Sequence, residues 1–438
     1  MRRTLMVLAV AALFAAGGCK KKDQEGGTPP GGEPAGPATT TGPEQAAEPT
    51  GATEPPAEPP KAPDPAAILD KALAAAGGLD NLKAKLASVT FESEGTFLGQ
   101  PYKSMTYWKA PDRMVMAIAE MGMSMGYAPD ACWSTMGEIV IDCMKEEQEY
   151  SGEGVSFAHA ANLYPLKEEG VQVESAGTAE VEGSPAVGVK VSGGFLKMPV
   201  TLFFAEDSGL LLKAVYEGHF GMAQGTIEYL YADHREFDGL KLPGASTMTL
   251  DGKQIMTEKL LAVRPGELDD ARFAKPAQAP LGETKVTAVP EQQVVVTTVN
   301  GAYEKLGPAV GALFGWIRQN GLMPMGAPTF VWVKDPSATQ NPEEYVTEIR
   351  LPVASTGELP AAEEGYEFRT LPAMEIAWRL EQGPYDQVAA RYAELGKWAE
   401  ENGYRLAGPA AMTTFSDPQN TPPEQLLQSL FFPVTKAE

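Results

Sequence analysis

Cysteine and histidine are scarce in this chain, with three of each among 438 residues. His159, His219 and His234 stand apart in polar surroundings, a spacing that indicates neither a histidine metal site nor a nucleophile–base pair. Basic charge is also short: 35 Lys and Arg face 58 Asp and Glu, a formal net charge of -23. That balance disfavours nucleic acid as a partner, because phosphate contacts need clustered Lys and Arg. No apolar run approaches the ~20 residues that a spanning helix requires. Glycine-rich phosphate loops, a Gly-x-Ser-x-Gly elbow, His-Glu-x-x-His and paired Cys motifs are all missing. No cofactor, metal or catalytic residue is therefore expected from motif alone.

What is present begins with an address. Met1-Arg2-Arg3, the apolar run Leu5 to Ala16, and Ala16-Gly17-Gly18-Cys19 have the form of a bacterial lipoprotein signal. A short basic region starts translocation, an apolar segment too short to span engages export, and small residues permit cleavage before the cysteine. Residues 1–18 read as the signal peptide, and Cys19 as the acylated first residue of the mature chain. Residues 19–63 hold Pro, Gly, Thr, Glu and Ala with almost no large apolar side chains, so they cannot bury enough surface to offset ordering entropy. They read as a disordered tether. Lys20, Lys21 and Lys22 either favour anionic headgroups or are simply solvated. With Lys20 rather than an aspartate after the cysteine, the expected location is the outer membrane, facing the periplasm.

Cys132 and Cys143 lie eleven positions apart, each beside strand-like sequence. In an oxidising compartment they are expected to pair across a hairpin, the alternative being two buried free thiols.

Residues 64–278 open with the amphipathic "AILDKALAAAGGLDNLKAKLASV" and continue as strands of period two, broken at Gly, Asp or Pro. One helical lead-in and one large antiparallel sheet predict a curved sheet wrapped around a helix. Met114, Met116, Met121, Met123 and Met125 crowd one short stretch. Alternation along strands would set such side chains on one face, lining a core or a cavity for varied apolar shapes, while Met-x-Met-x-Met can also hold Cu(I). "ALAAAGGLDNLKA", "FFAEDSGLLLK" and "YADHREFDGLKLP" resemble the half-barrels of the LolA/LolB/LppX-like lipoprotein carriers. That resemblance implies a concave sheet able to shelter acyl chains, and it brings no catalytic residues.

Further along, Tyr303, Trp316, Asn320, Gly321 and Gly326 recur 82 positions later as Tyr385, Trp398, Asn402, Gly403 and Gly408. The last third is a duplicated β-α-β-β unit, and two such halves pair about a pseudo-two-fold axis with a cleft between them. "NGAYEKL", "QGPYDQV", the two helix tryptophans and "EYVTEIRLPV" resemble the GyrI-like, or AraC-type effector-binding, small-molecule domain over residues 288–438. That resemblance implies an amphipathic or lipophilic ligand in the inter-repeat cleft and a strand glutamate facing it. Glu348 stands four residues before Pro352, but the matching position before Pro433 is Ser429.

By alternation, Glu348 shares a strand face with Val346 and Arg350, while Tyr345, Thr347, Ile349 and Leu351 point the other way. It is read either as a cleft carboxylate, pairing with a cation or acting as a general base, or as an ion-pair partner of Arg350 or a plainly solvent-exposed side chain. Trp332, Tyr345, Trp378, Tyr385 and Phe415 are the candidate aromatic walls. Trp316 and Trp398 are assigned to the helix–sheet core, and Tyr303 is balanced between cleft and packing.

The expected fold is thus α+β: signal and tether, a curved antiparallel half-barrel, then a duplicated βαββ domain. The expected function is binding of a hydrophobic or amphipathic small molecule or lipid by a protein anchored to the membrane through Cys19. The alternatives are a hydrolase of small hydrophobic electrophiles, with Glu348 and a tyrosine as the working pair, and an envelope interaction protein without ligand.

Overall fold

The computed structural model describes residues 64–119, 122–221, 223–335, 338–355 and 360–437. The signal peptide, Cys19 and the tether lie outside the described residues, as does Met121. Among the described residues no helix is long and apolar enough to cross a membrane.

Helix α1 (Pro65–Ala76) starts where the Asp64 carboxylate accepts from the Ala66 amide at 3.1 Å and proline takes the first helical position. Gly77 ends it at φ 122°, where an added Cβ would lie 2.8 Å from the Gly239 carbonyl oxygen. Helix α2 (Leu79–Leu86) follows at once. The first strands form a meander: β1 (Ser88–Phe97), β2 (Gln100–Lys109), β3 (Arg113–Ile118), β4 (Met123–Ala128), β5 (Ala131–Met136) and β6 (Ile139–Asp142). Helix α3 (Lys145–Ala161) then crosses to a second series: β7 (Val171–Val181), β8 (Ser184–Gly193), β9 (Val200–Ala205), β10 (Leu211–Phe220) and β11 (Ala223–Ala232). A small hairpin of β12 (Arg235–Phe237) and β13 (Leu240–Leu242) precedes β14 (Ala245–Leu250) and β15 (Lys253–Pro265).

The thirteen-stranded antiparallel sheet runs β6-β5-β4-β3-β2-β1-β15-β14-β11-β10-β9-β8-β7. Its centre joins chain segments far apart in sequence, from Val89 opposite Pro265 to Phe97 opposite Met256. Leu69, Leu73, Leu82, Leu86, Val155 and Phe157 carry the three helices onto one sheet face, against Trp108, Leu202, Phe204 and Ile227. Helix α3 was not anticipated. Its sequence "KEEQEYSGEGVSFAHAA" is mostly polar and carries Gly152 and Gly154, which hides the apolar period. At Gly152 a Cβ would meet the Tyr127 hydroxyl at 2.8 Å, so that ring would have to shift to admit a larger residue.

The second sheet contains β16 (Thr284–Val289) and two successive units, each a strand, a helix and three further strands, one strand more than the expected β-α-β-β. The first is β17 (Gln292–Asn300), α4 (Leu306–Gln319), β18 (Leu322–Pro324), β19 (Thr329–Lys334) and β20 (Val346–Ser355). After β21 (Glu367–Leu371) comes the second: β22 (Met374–Gln382), α5 (Val388–Glu401), β23 (Tyr404–Leu406), β24 (Ala411–Thr414) and β25 (Leu427–Lys436). The order is β16-β22-β25-β24-β19-β20-β17-β21. The repeats meet through equivalent strands, Thr329 opposite Thr413 and Val331 opposite Ala411. A 2.8 Å hydrogen bond between the Thr329 and Thr413 hydroxyls lies on this seam.

This sheet has to curl. Leu371 and Met374 are three Cα steps apart, at most about 11 Å, yet β21 and β22 are separated by six strand spacings, roughly 29 Å in a flat sheet. Both helices pack on one face, through Leu313, Phe314, Ile317, Leu395 and Ala399 against Val295, Ile349, Leu351, Ala377 and Leu430. The interior of so small a barrel-like sheet holds side chains but not two helices. The helices are therefore outside, and the opposite face is the concave one. Val294, Val296, Val331 and Ala411 are buried on that face without helix cover.

The two sheets touch. Ile139 and Ile141 of β6 pack with Ala279 and Leu380, and Trp378, Phe415 and Leu427 join them. Gln278 bonds both the amide and the carbonyl of Val140, at 2.9 and 2.7 Å, and Lys285 pairs with Glu138.

Candidate ligand-binding site

On the concave face of the C-terminal sheet, the Glu348 carboxylate receives the Arg350 Nε at 2.8 Å and Nη2 at 2.5 Å. Arg369 of β21 adds its Nη1 at 2.9 Å from each carboxylate oxygen. The Glu348 side chain is 15% exposed. Burial alone would raise its pKa, but the two guanidiniums win and hold it below the ordinary carboxylate range. The convex face carries an aromatic group instead. Tyr303 packs on Trp332 and Tyr345 with ring centroids 5.3 and 5.2 Å apart, and Trp332 stacks on Phe330 at 6.1 Å. Trp332 Nε1 donates to the Tyr392 hydroxyl at 3.2 Å, bridging the repeats. Tyr303 and Tyr385 are 41% and 37% exposed. Partial burial, followed by the charges of Asp335 and Asp417 respectively, pushes each phenol up to about 12.

The half-barrel offers a different surface. Cross-strand register sets Met114 opposite Tyr127, Met116 opposite Met125, Ile118 opposite Met123, and Met123 opposite Met136. All lie on the face that receives the helices. The same parity carries Phe91, Tyr102 and Trp108 on the neighbouring strands, then Met256, Met248 and Tyr229 across β15, β14 and β11. Met114, Met116, Tyr127, Phe91, Met256 and Tyr229 remain only partly buried. Their side chains point inward, toward the face that the three helices and, from the C-terminal unit, Met323 and Met325 cover in part.

The model of the GyrI-like small molecule binding domain matches residues 266–354 and 355–435, one match for each repeat. The C-terminal unit is a GyrI-like domain. No curated protein matches the chain. Among solved structures, EcmrR in a DNA complex is 17% identical over 35% of this chain, which spans 58% of that protein, with a TM-score of 0.32. The EcmrR C-terminal domain is 21% identical, with 35% and 98% of the two chains covered and a TM-score of 0.31. A LolA superfamily protein from Nitrosomonas europaea is 13% identical, with 48% of this chain and 97% of that one covered and a TM-score of 0.34.

Within the GyrI-like domain the six residues singled out from sequence fall into two sets. Trp332, Tyr345 and Tyr385 share the helix side, whereas Glu348, Trp378 and Phe415 lie on the concave side. Trp378 and Phe415 there contact the cluster formed with the half-barrel strand β6, and Trp378 Nε1 donates to the Thr287 hydroxyl at 2.9 Å. One-residue parity decides this, since 345 and 348 differ by an odd number and strand side chains alternate. Arg350 was legible as the partner of Glu348. Arg369 was not, because β21 precedes the recurring pattern of the second repeat and reaches β17 of the first only in the fold.

A second charged group also escaped the sequence reading. Glu381 is nearly buried on the helix side, held by Arg379 and by Arg391 of α5, the latter at 2.9 Å. Opposite it stands fully buried Gln428, whose amide donates to the Gly383 carbonyl at 3.1 Å. Alternation places Arg379 and Glu381 together, but only the fold brings α5 to them. Cys132 and Cys143 form a disulfide with Cα atoms 5.3 Å apart. Among the described residues no group of three or more His, Cys, Asp or Glu is arranged to hold a metal ion.

Proposed function

We propose that this chain is a binding protein for a hydrophobic or amphipathic small molecule or lipid, anchored to the cell envelope through Cys19 and facing the periplasm from the outer membrane. The observation that carries the reading is the row of inward methionines and aromatics in the half-barrel that keep accessible surface. Methionine adapts to varied apolar shapes at little cost in strain, and a concave apolar wall with few polar groups is the usual form of a small-molecule site. The GyrI-like domain supports the same reading, because the matching family is described by small-molecule binding. The hydrolase alternative has weaker support. Glu348 is saturated by two guanidiniums, and the tyrosines that would assist it stand on the other side of the sheet.

Native mass spectrometry of protein purified from its own host tests the proposal. Co-purified apolar ligand, displaced by 1-N-phenylnaphthylamine, is the expected result. Protein that neither carries ligand nor takes up the probe would exclude it. Radiolabelled palmitate incorporation that is lost in Cys19→Ser tests the anchor separately.

A further inference from the structure

Glu258 is an acid in the middle of the half-barrel's inner wall. Register places it opposite Gly95 of β1 and Ser246 of β14, in phase with inward Met256. Among the described residues its oxygens accept from neutral groups, the Ser93 hydroxyl at 3.1 Å and the Tyr102 hydroxyl at 3.1 Å. The nearest basic residue in sequence, Lys259, points to the outer face and faces Glu94 at 3.7 Å. Among the described residues no Lys, Arg or His forms an ion pair with Glu258. Tyr229 and Tyr231 stand on β11 with nearly parallel rings, 13° apart and 6.2 Å between centroids. Tyr216 and Tyr229 flank Phe157 at 4.7 and 4.8 Å. Glu258, Tyr229 and Tyr231 are each partly accessible, although they face inward.

We propose that Glu258, with the rings of Tyr102, Tyr229 and Tyr231, is the headgroup site for an alkylammonium amphiphile whose chain lies along the methionine-lined wall. This rests on the half-barrel being the apolar site. A carboxylate buried without a counter-charge is costly to ionise, and two hydroxyl donors do not supply positive charge. Burial, outweighing those two hydrogen bonds, raises its pKa. A quaternary or primary ammonium would provide the missing charge, while the tyrosine faces attract it through their quadrupoles. An anionic head would meet an unpaired acid. A bare metal ion would find a single carboxylate, too few ligands for a divalent site.

The test uses the full chain and four ten-carbon amphiphiles below their micellar concentrations, in calorimetric titrations. They are decyltrimethylammonium, decylphosphocholine, decyl maltoside and decyl sulfate. Decyltrimethylammonium is expected to bind at least ten-fold more tightly than decyl maltoside, with decyl sulfate weakest. Glu258→Gln should erase that preference, and Tyr231→Leu should reduce it while keeping the carboxylate. Decylphosphocholine sharing the preference points to a lipid headgroup; the preference confined to decyltrimethylammonium points to a free cationic amphiphile. Equal binding of the cation and the maltoside, or a preference that survives Glu258→Gln, overturns the headgroup assignment alone. No binding of any of the four overturns the apolar site as well.

Discussion

Arg369 Nη1 lies 2.9 Å from both carboxylate oxygens of Glu348, although the two residues sit on strands separated by β17. The contact ties β21, which precedes the core strands of the second repeat, to the wall built by the first. Removing the acid leaves Arg350 without its counter-charge in a half-buried place, while Arg369 keeps only Glu367. Glu348→Gln should therefore destabilise the domain by about 1–3 kcal/mol. Arg369→Gln should cost less, about 1 kcal/mol or below, because Arg350 remains and Arg369 is 36% exposed. Guanidinium unfolding of the two variants checks the order. Because the Glu348 pKa is depressed in the folded state, its contribution is present at neutral pH and lost as pH falls through the folded value, and Glu348→Gln should be less acid-sensitive than the parent.

Glu147 and His159 should shape the rest of the pH profile with opposite signs. Both belong to α3 and both are buried. Burial outweighs the Met144 amide bond and lifts Glu147 to about 8. Between pH ~4.5 and ~8 the native state holds a proton that the unfolded chain has released, so stability falls as pH rises, by up to about 1.4 kcal/mol per unit. His159, enclosed by Trp108, Tyr164 and Phe195, is lowered to about 4 by burial. Between ~4 and ~6.5 the unfolded chain holds the extra proton, so stability rises with pH. The two slopes oppose each other below ~6.5, and above it only the Glu147 slope of the two remains. Glu147→Gln should flatten the decline between pH 6.5 and 8, measured by thermal melts across that range, and an unchanged slope would refute the assignment.

Met116 and Met125 face each other across β3 and β4 on the inner wall. Met116→Lys places a charge on that wall without touching the GyrI-like domain. The uptake of 1-N-phenylnaphthylamine should weaken at least ten-fold, while Met116→Leu, similar in volume, should keep it. Equal losses in both variants would indicate a structural rather than a lining role.

The Cys132–Cys143 bond closes a loop of eleven positions within the β5–β6 hairpin and the turn after it. For a loop of this size the entropic stabilisation is about 3 kcal/mol. The double serine variant should lose roughly 2–4 kcal/mol, read from its urea midpoint, with the half-barrel's far-UV spectrum retained.

Much of this molecule is written locally. The Asp64-Pro65 start of the first helix, the period-two strands and the methionine parity are short-range patterns, and each reappears in the fold because neighbouring residues decide it; the 82-residue recurrence is one such local pattern written twice. Even Glu258 was within reach of such a reading, since it falls in phase with Met256 and Leu260 while Lys259 and Leu261 alternate outward. The tertiary structure decided which surfaces those patterns share. That Trp332 and Glu348 lie on opposite sides of a curled sheet, that Arg369 reaches Glu348, and that Ile139 and Ile141 meet Leu380 all depend on strand order. Strand order is set by contacts between residues up to hundreds of positions apart, whose free energy no local window of sequence contains.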